Sequence, residues 1–129
     1  MEIRPKTTPT QGPADMFTGE VTLEPIARGK EPSTFAVNAV HFAPGARTAW
    51  HCHSHGQTLH VTSGEGRVQS RGESITRIRA GDTIDTPPDE WHWHGASPDQ
   101  AMIHLSITEG QATWGDHVTD AEYRGDPAS

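Results

Sequence analysis

An all-β barrel is the fold class that the sequence predicts, and three observations predict it. Only 32% of the residues are hydrophobic while Gly and Pro number 13 and 10, a balance that suits short strands joined by many turns. Short segments rich in β-branched residues recur along the chain, each bounded by turn residues. The 129 residues fit one domain, since domains typically run to roughly 100 to 200 residues and a second core would be too small to hold itself together.

The elements follow in order. Residues 1–15, rich in Thr and Pro, read as an extended N-terminal arm that lies along the domain or along a partner subunit, with the barrel domain over 16–129. Strands are expected over 20–26, 34–42, 57–63, 66–70, 74–80, 82–86 and 101–107, separated by the turn signals PGA, SGEG, RGE, AGD and TPPDE. Near the C-terminus Thr119 precedes Glu122 by three residues, a capping-box spacing that predicts one short helix, Asp120–Arg124, too short to contribute to the core. No internal repeat occurs at a fixed period.

The net charge of -7, without any cluster of Lys and Arg, offers nothing to neutralise a phosphate backbone or anionic lipid. Nucleic acid and membrane surfaces are therefore not expected partners. The N-terminus lacks the apolar stretch of a signal peptide, and no apolar run approaches the ~18 residues of a membrane-spanning helix. A cytoplasmic location is the expectation, and the single cysteine, Cys52, cannot form an internal disulfide.

Histidine is the anomaly: nine in the chain, seven of them between positions 51 and 104. Side chains two apart on a strand share a face, so His51 and His53 form a two-toothed chelate while Cys52 points the other way and is read as packing. The same alternation groups Gln57 with Leu59 and Val61 on an inward face, where its amide needs a partner. His92 and His94 share a face opposite Trp91 and Trp93, and His104 alternates with Met102 and Ser106. Ile103, Leu105 and Ile107 form the opposite, aliphatic face of that segment. A same-face histidine pair beside a third histidine from a distant turn suits a first-row metal, which gives His51, His53 and His92 as expected ligands. His41, His55, His60 and His117 are read as ordinary hydrogen-bonded residues, and the four Trp as core and pocket walls.

Gly45, His51, His53, Gln57 and Gly64 stand at the spacings of the first cupin motif, with Gln57 in place of its Glu. Gly81, Pro87 and His92 match the second, where Asp89 and Ala96 replace the later Gly and Asn. The chain thus resembles the cupins, which implies a jelly-roll barrel around one divalent metal ion per chain, held by His51, His53, Gln57 and His92. Three neutral imidazoles and an amide would leave the full double charge on the ion, so the site should attract anions and act as a Lewis acid. Through GPADMFTGEV, PGARTAWHCHSHGQTLHVTSGEG, EWHWHGA and DHVTD it is similar, more narrowly, to the manganese-dependent bacterial cupin hydroxynitrile lyases. That resemblance implies a carbon–carbon lyase that cleaves or forms cyanohydrins, with Mn(II) as the ion; Fe(II), Ni(II) and Zn(II) suit the same ligands. It also implies catalytic places for His94, His104 and Thr48, whereas Thr108 stands where a longer polar residue is expected. An iron(II) oxygenase and a non-enzymatic barrel that binds metal or a small ligand are the alternative readings. His94 is expected to be the general base, because a second ligand two residues from His92 would crowd an ion already held by the His51 and His53 pair. The expected partners are a small-molecule substrate and further copies of the chain, as a homodimer or homotetramer that hides exposed sheet edges.

Overall fold

A computed structural model describes residues 1–127. The turn-bounded segments become antiparallel strands of two sheets that curl into a barrel. The first sheet runs in the order β1 (Thr10–Gln11), β3 (Val21–Arg28), β4 (Ala36–Phe42), β11 (Met102–Thr108), β7 (Gln57–Ser70) and β9 (Thr83–Thr86). The second joins β8 (Thr76–Arg79), the far half of β7, β10 (His92–Ala96), β5 (Arg47–Thr48) and β2 (Phe17–Thr18). β6 (His51–His53) pairs with β10, and β12 (Ala112–Trp114) pairs with β6. Between the sheets Val21, Val40, Phe42, Val61 and Met102 pack into one apolar core, as strict inward alternation on both sheets requires.

Residues 57–63 and 66–70, expected as two strands around a turn, are one strand of 14 residues. The Ser63–Gly66 stretch bends instead of reversing, so the first half of β7 pairs with β11 and β9, and the second half with β10 and β8. Gly64 makes that crossing possible. It has a left-handed φ of 79°, and a Cβ there would collide with the Ala101 carbonyl oxygen. Asp89, which replaces the Gly of the second motif, has a φ of 62° and so holds the same kind of left-handed turn. Its N–H donates to the His53 carbonyl at 2.8 Å, which ties the loop before β10 to β6.

The capping box forms as the spacing predicts: Thr119 accepts from Glu122 N–H, and Glu122 from Thr119 N–H. The expectation that helix α1 (Asp120–Arg124) is too short to contribute to a core is overturned. Tyr123 joins Trp50, Trp93 and Val118 in a second apolar cluster on the outer face of the second sheet. One turn of helix suffices because it delivers a single large side chain, and polar groups hold that ring in place. The Arg47 and Arg67 guanidinium groups lie 4.7 and 5.2 Å from the Tyr123 ring centre, and its hydroxyl donates to the Ala96 carbonyl. Trp93, on the outward face of β10, is thereby fully buried, its Nε1–H donating to Gln69 at 2.8 Å.

Ahead of β1 the arm is extended and exposed along β3, where Arg4 donates to the Ile26 carbonyl at 2.8 Å and Thr7 to that of Pro25 at 3.3 Å. No helix among the described residues is long and apolar enough to cross a membrane. Tyr123→Ala is expected to lower unfolding free energy by about 3 kcal/mol through the void it leaves. Tyr123→Phe should lower it by about 1 kcal/mol through the lost hydroxyl bond. Urea unfolding followed by tryptophan fluorescence measures both.

Candidate metal centre

The register of β6 against β10 sets His92 directly across from His51. His53 follows on the same face, and the start of β7 brings Gln57 to them from the first sheet. One ring nitrogen from each of His51, His53 and His92 falls within 4.8 Å of the other two, and all three side chains are buried. The expected set of His51, His53, Gln57 and His92 is thus brought together. His94 and His104, from β10 and β11, lie on the same interior, with Nδ1 of His94 2.9 Å from Nε2 of His104. Phe42 flanks both of these rings, and Trp114 stacks on His51 at 4.4 Å.

The hydrogen bonds around these groups fit a cation. His51 and His92 donate Nδ1–H to the backbone carbonyls of Ala49 and Glu90, each at 2.9 Å, so their Nε2 atoms present lone pairs inward. Nε2 of His53 is buried without a partner. The bare Nε2 of His92 stands 2.9 Å from Oε1 of Gln57, so two acceptors face each other with no proton between them. Acceptors converging without a donor are disfavoured unless positive charge sits among them. The donor set, three neutral imidazoles and an amide oxygen, suits a divalent first-row ion.

Burial keeps these rings neutral. His53 is pushed down to about 4 by desolvation, and then by the neighbouring His92. His51 and His92 are lowered for the same first reason, with His92 adding to the effect on His51. Desolvation also holds His104 near 4 and, with the adjacent His104, takes His94 well below its ordinary value. Nδ1 of His104 is buried without a hydrogen-bond partner. Nε2 of His94 is likewise buried without a partner, and where His104 carries its proton on Nδ1, its Nε2 accepts Nδ1–H from His94 and Nε2 of His94 is a bare lone pair. Thr48, 1% exposed, accepts from the backbone N–H of His94 at 3.1 Å and keeps its own hydroxyl proton free.

One contributor was not singled out from the sequence. Ser106 accepts from Nε2 of Gln57 at 2.8 Å, which turns the amide oxygen toward His92. Its same-face position two residues after His104 was legible, but a serine two places from a histidine is too common to stand out. Thr108 lies opposite Gln57 in the pairing of β11 with β7, at the rim of a recess of about 240 Å³ that Phe35, Gly56, Thr86 and Ile107 also line. A cleft of about 1150 Å³ lies outside the barrel beside α1, away from the clustered histidines. The remaining histidines form ordinary polar contacts: His41 with Glu24, His55 with Ser54, His60 with Thr83 and His117 with Thr18. Cys52 is buried and free, as its opposite parity predicts.

Residues 38–108, which hold this centre, match the model of the cupin domain family. The chain is a cupin. A protein of Granulicella tundricola named (R)-mandelonitrile lyase is 49% identical over 118 residues, covering 88% of this cupin and 90% of that protein. The solved structure of a cupin-like protein from Thermotoga maritima superposes with a TM-score of 0.85 at 38% identity, covering 96% of each chain. A polyketide cyclase of Streptomyces resistomycificus shares the fold at a TM-score of 0.74 and 17% identity, over 96% of this cupin and 91% of that chain.

His51→Ala, His53→Ala and His92→Ala are each expected to abolish stoichiometric divalent metal, as read by elemental analysis. Ser106→Ala should weaken metal binding about 10-fold by freeing the Gln57 amide, measured by competition with a chelator. The metal-free protein should lose stability on acidification. Below an unfolded histidine value of about 6.5 the unfolded chain takes up protons that the buried rings refuse, and the loss continues down to about 4, where His53 and His104 titrate. Melting temperatures across that range, with metal chelated, measure the effect.

Proposed function

We propose that this cupin is a metal-dependent lyase that cleaves cyanohydrins into an aldehyde and cyanide, and forms them in reverse. The observation that carries the reading is the His94 and His104 pair, joined at 2.9 Å with Nε2 of His94 buried and unpartnered beside the three-histidine group. The 49% identity to a protein named (R)-mandelonitrile lyase supports it. In this reading His51, His53, His92 and Gln57 hold a divalent ion, for which we propose Mn(II). When bound, the ion supplies Lewis acidity, which favours ionisation of a hydroxyl and stabilises negative charge.

The protein groups move the proton. Nε2 of His94 takes the hydroxyl proton of the cyanohydrin as the carbonyl double bond forms. The bond to the nitrile carbon breaks, and its electron pair leaves as cyanide. The Thr48 hydroxyl donates a hydrogen bond to that anion, and the proton on His94 then converts it to hydrogen cyanide. In this reading His104 holds the tautomer, its Nε2 accepting the Nδ1–H of His94 across their 2.9 Å contact. The lowered basicity of His94 keeps it neutral and ready at physiological pH.

Three histidine donors also accept iron(II), which favours an oxygenase as the second reading. Anaerobic incubation with mandelonitrile separates the two. Benzaldehyde and cyanide released without oxygen support the lyase, and turnover that consumes oxygen supports the oxygenase. A barrel that only binds metal or a small ligand would leave the bare nitrogen of His94 without a task.

His94→Ala is expected to keep its metal and lose a factor of about 100 in mandelonitrile turnover, the usual size of a general-base contribution. His94→Gln should not restore activity, because an amide keeps the hydrogen bonding but takes no proton. Near-parental activity in His94→Gln would move the base to His104.

A further inference from the structure

Strand β6 carries two of the clustered histidines, yet it meets β10 through a single registered pair, His51 with His92. One pair is a weak guard, because a slip by one residue would turn the histidines away from each other. A tie across the outer face of the sheet reinforces it. Trp50 directly precedes His51 and Trp91 directly precedes His92, and both rings belong to the outer apolar cluster. In the antiparallel register these two tryptophans stand diagonally on either side of the registered pair, so a group that touches both spans it.

Arg71 is that group. It lies just past the end of β7, with its guanidinium 5.0 Å from the centre of each indole ring. Its backbone N–H donates to the Trp91 carbonyl at 2.9 Å, which fixes where the side chain starts. Among the described residues the guanidinium has no hydrogen-bond or ion-pair partner, so the rings are what hold it. The rings are themselves fixed. Nε1–H of Trp50 donates to Glu122 at 3.3 Å, and a Cβ on Gly115 would come within 2.9 Å of the Trp91 ring. An arginine suits the place better than a lysine, since a planar guanidinium stacks on aromatic faces while its N–H edge stays in water.

We propose that Arg71 is a positioning residue of the metal centre, a clamp on Trp50 and Trp91 that holds His51 and His92 at the separation a divalent ion requires. The proposal rests on the metal-binding reading above. Rings held in place present lone pairs already oriented, whereas rings free to shift must be ordered by the ion itself, which lowers affinity. Charge acts in the opposite direction. Removing a cation near a site for a dication should by itself tighten binding, so weaker binding without Arg71 is a mark of lost geometry.

Chelator competition for Mn(II) on the full chain tests the clamp. Arg71→Ala is expected to weaken binding about 10-fold, the scale on which groups behind the ligands act. The same substitution made on Trp91→Leu should add no further loss, because the clamp is already open. A second readout needs no ion: the His51 and His92 rings lie 4.3 Å apart between centres, and their nuclear Overhauser contact in the metal-free protein should weaken in Arg71→Ala. A parent that takes up no Mn(II), with that contact weakened in the variant, would sink the metal reading and leave the clamp standing. An arginine that merely covers the indoles would lower unfolding free energy on removal and leave affinity at the parental value. Parental affinity in a folded Arg71→Ala, an undiminished contact between the two rings, or an equal further loss on the Trp91→Leu background would each overturn the proposal.

Discussion

Everything at the centre depends on one registration: His92 of β10 lies directly across from His51 of β6. Side chains alternate with a period of two, so a slip by one residue would turn the histidines of one strand outward and its tryptophans inward. The structure guards against that slip from both faces. On the outer face Trp93 is locked into the second apolar cluster, and Asp89 ties the loop before β10 back to the His53 carbonyl. Inside, the carbonyls of Ala49 and Glu90 hold the rings of His51 and His92. Packing on one side of the sheet thereby fixes chemistry on the other.

Five uncharged imidazoles share a small interior, and their neutrality is the price of burial. Desolvation is the largest cause of the lowered basicity of all five rings. Neutral rings can meet at centroid distances as short as 4.3 Å, which five cations could not do. Neutrality also leaves lone pairs inside the barrel: Nε2 of His51 and of His92 faces inward bare, because each Nδ1–H is taken by a backbone carbonyl.

Much of this was legible in the sequence because the informative signals were local. The same-face pairs 51 and 53, and 92 and 94, follow from alternation within single strands, and the capping box at Thr119 follows from a three-residue spacing. Cys52 and the outward aliphatic face of β11 were readable in the same way. What escaped depended on contacts across the fold. Nothing near Ser63–Gly66 distinguishes a bend from a reversal, since Gly suits both, and only the partners of β7 decide. The worth of α1 lies in Tyr123 meeting Trp93 and the two arginines from other strands. Ser106 gains its place from a diagonal reach between two strands whose registration no local spacing reveals.

The long strand β7 is shared by both sheets, pairing with β8, β9, β10 and β11. Neither sheet can detach while the other stays whole, because each would take half of the same strand with it. The barrel therefore opens as one cooperative unit, and partial opening is confined to short peripheral pieces such as β1 and the arm ahead of it. Amide protons of β7 on either side of Gly64 should share the slowest exchange with solvent in the molecule. The clustered histidines, held between halves of a single strand, keep their mutual arrangement until the whole protein unfolds.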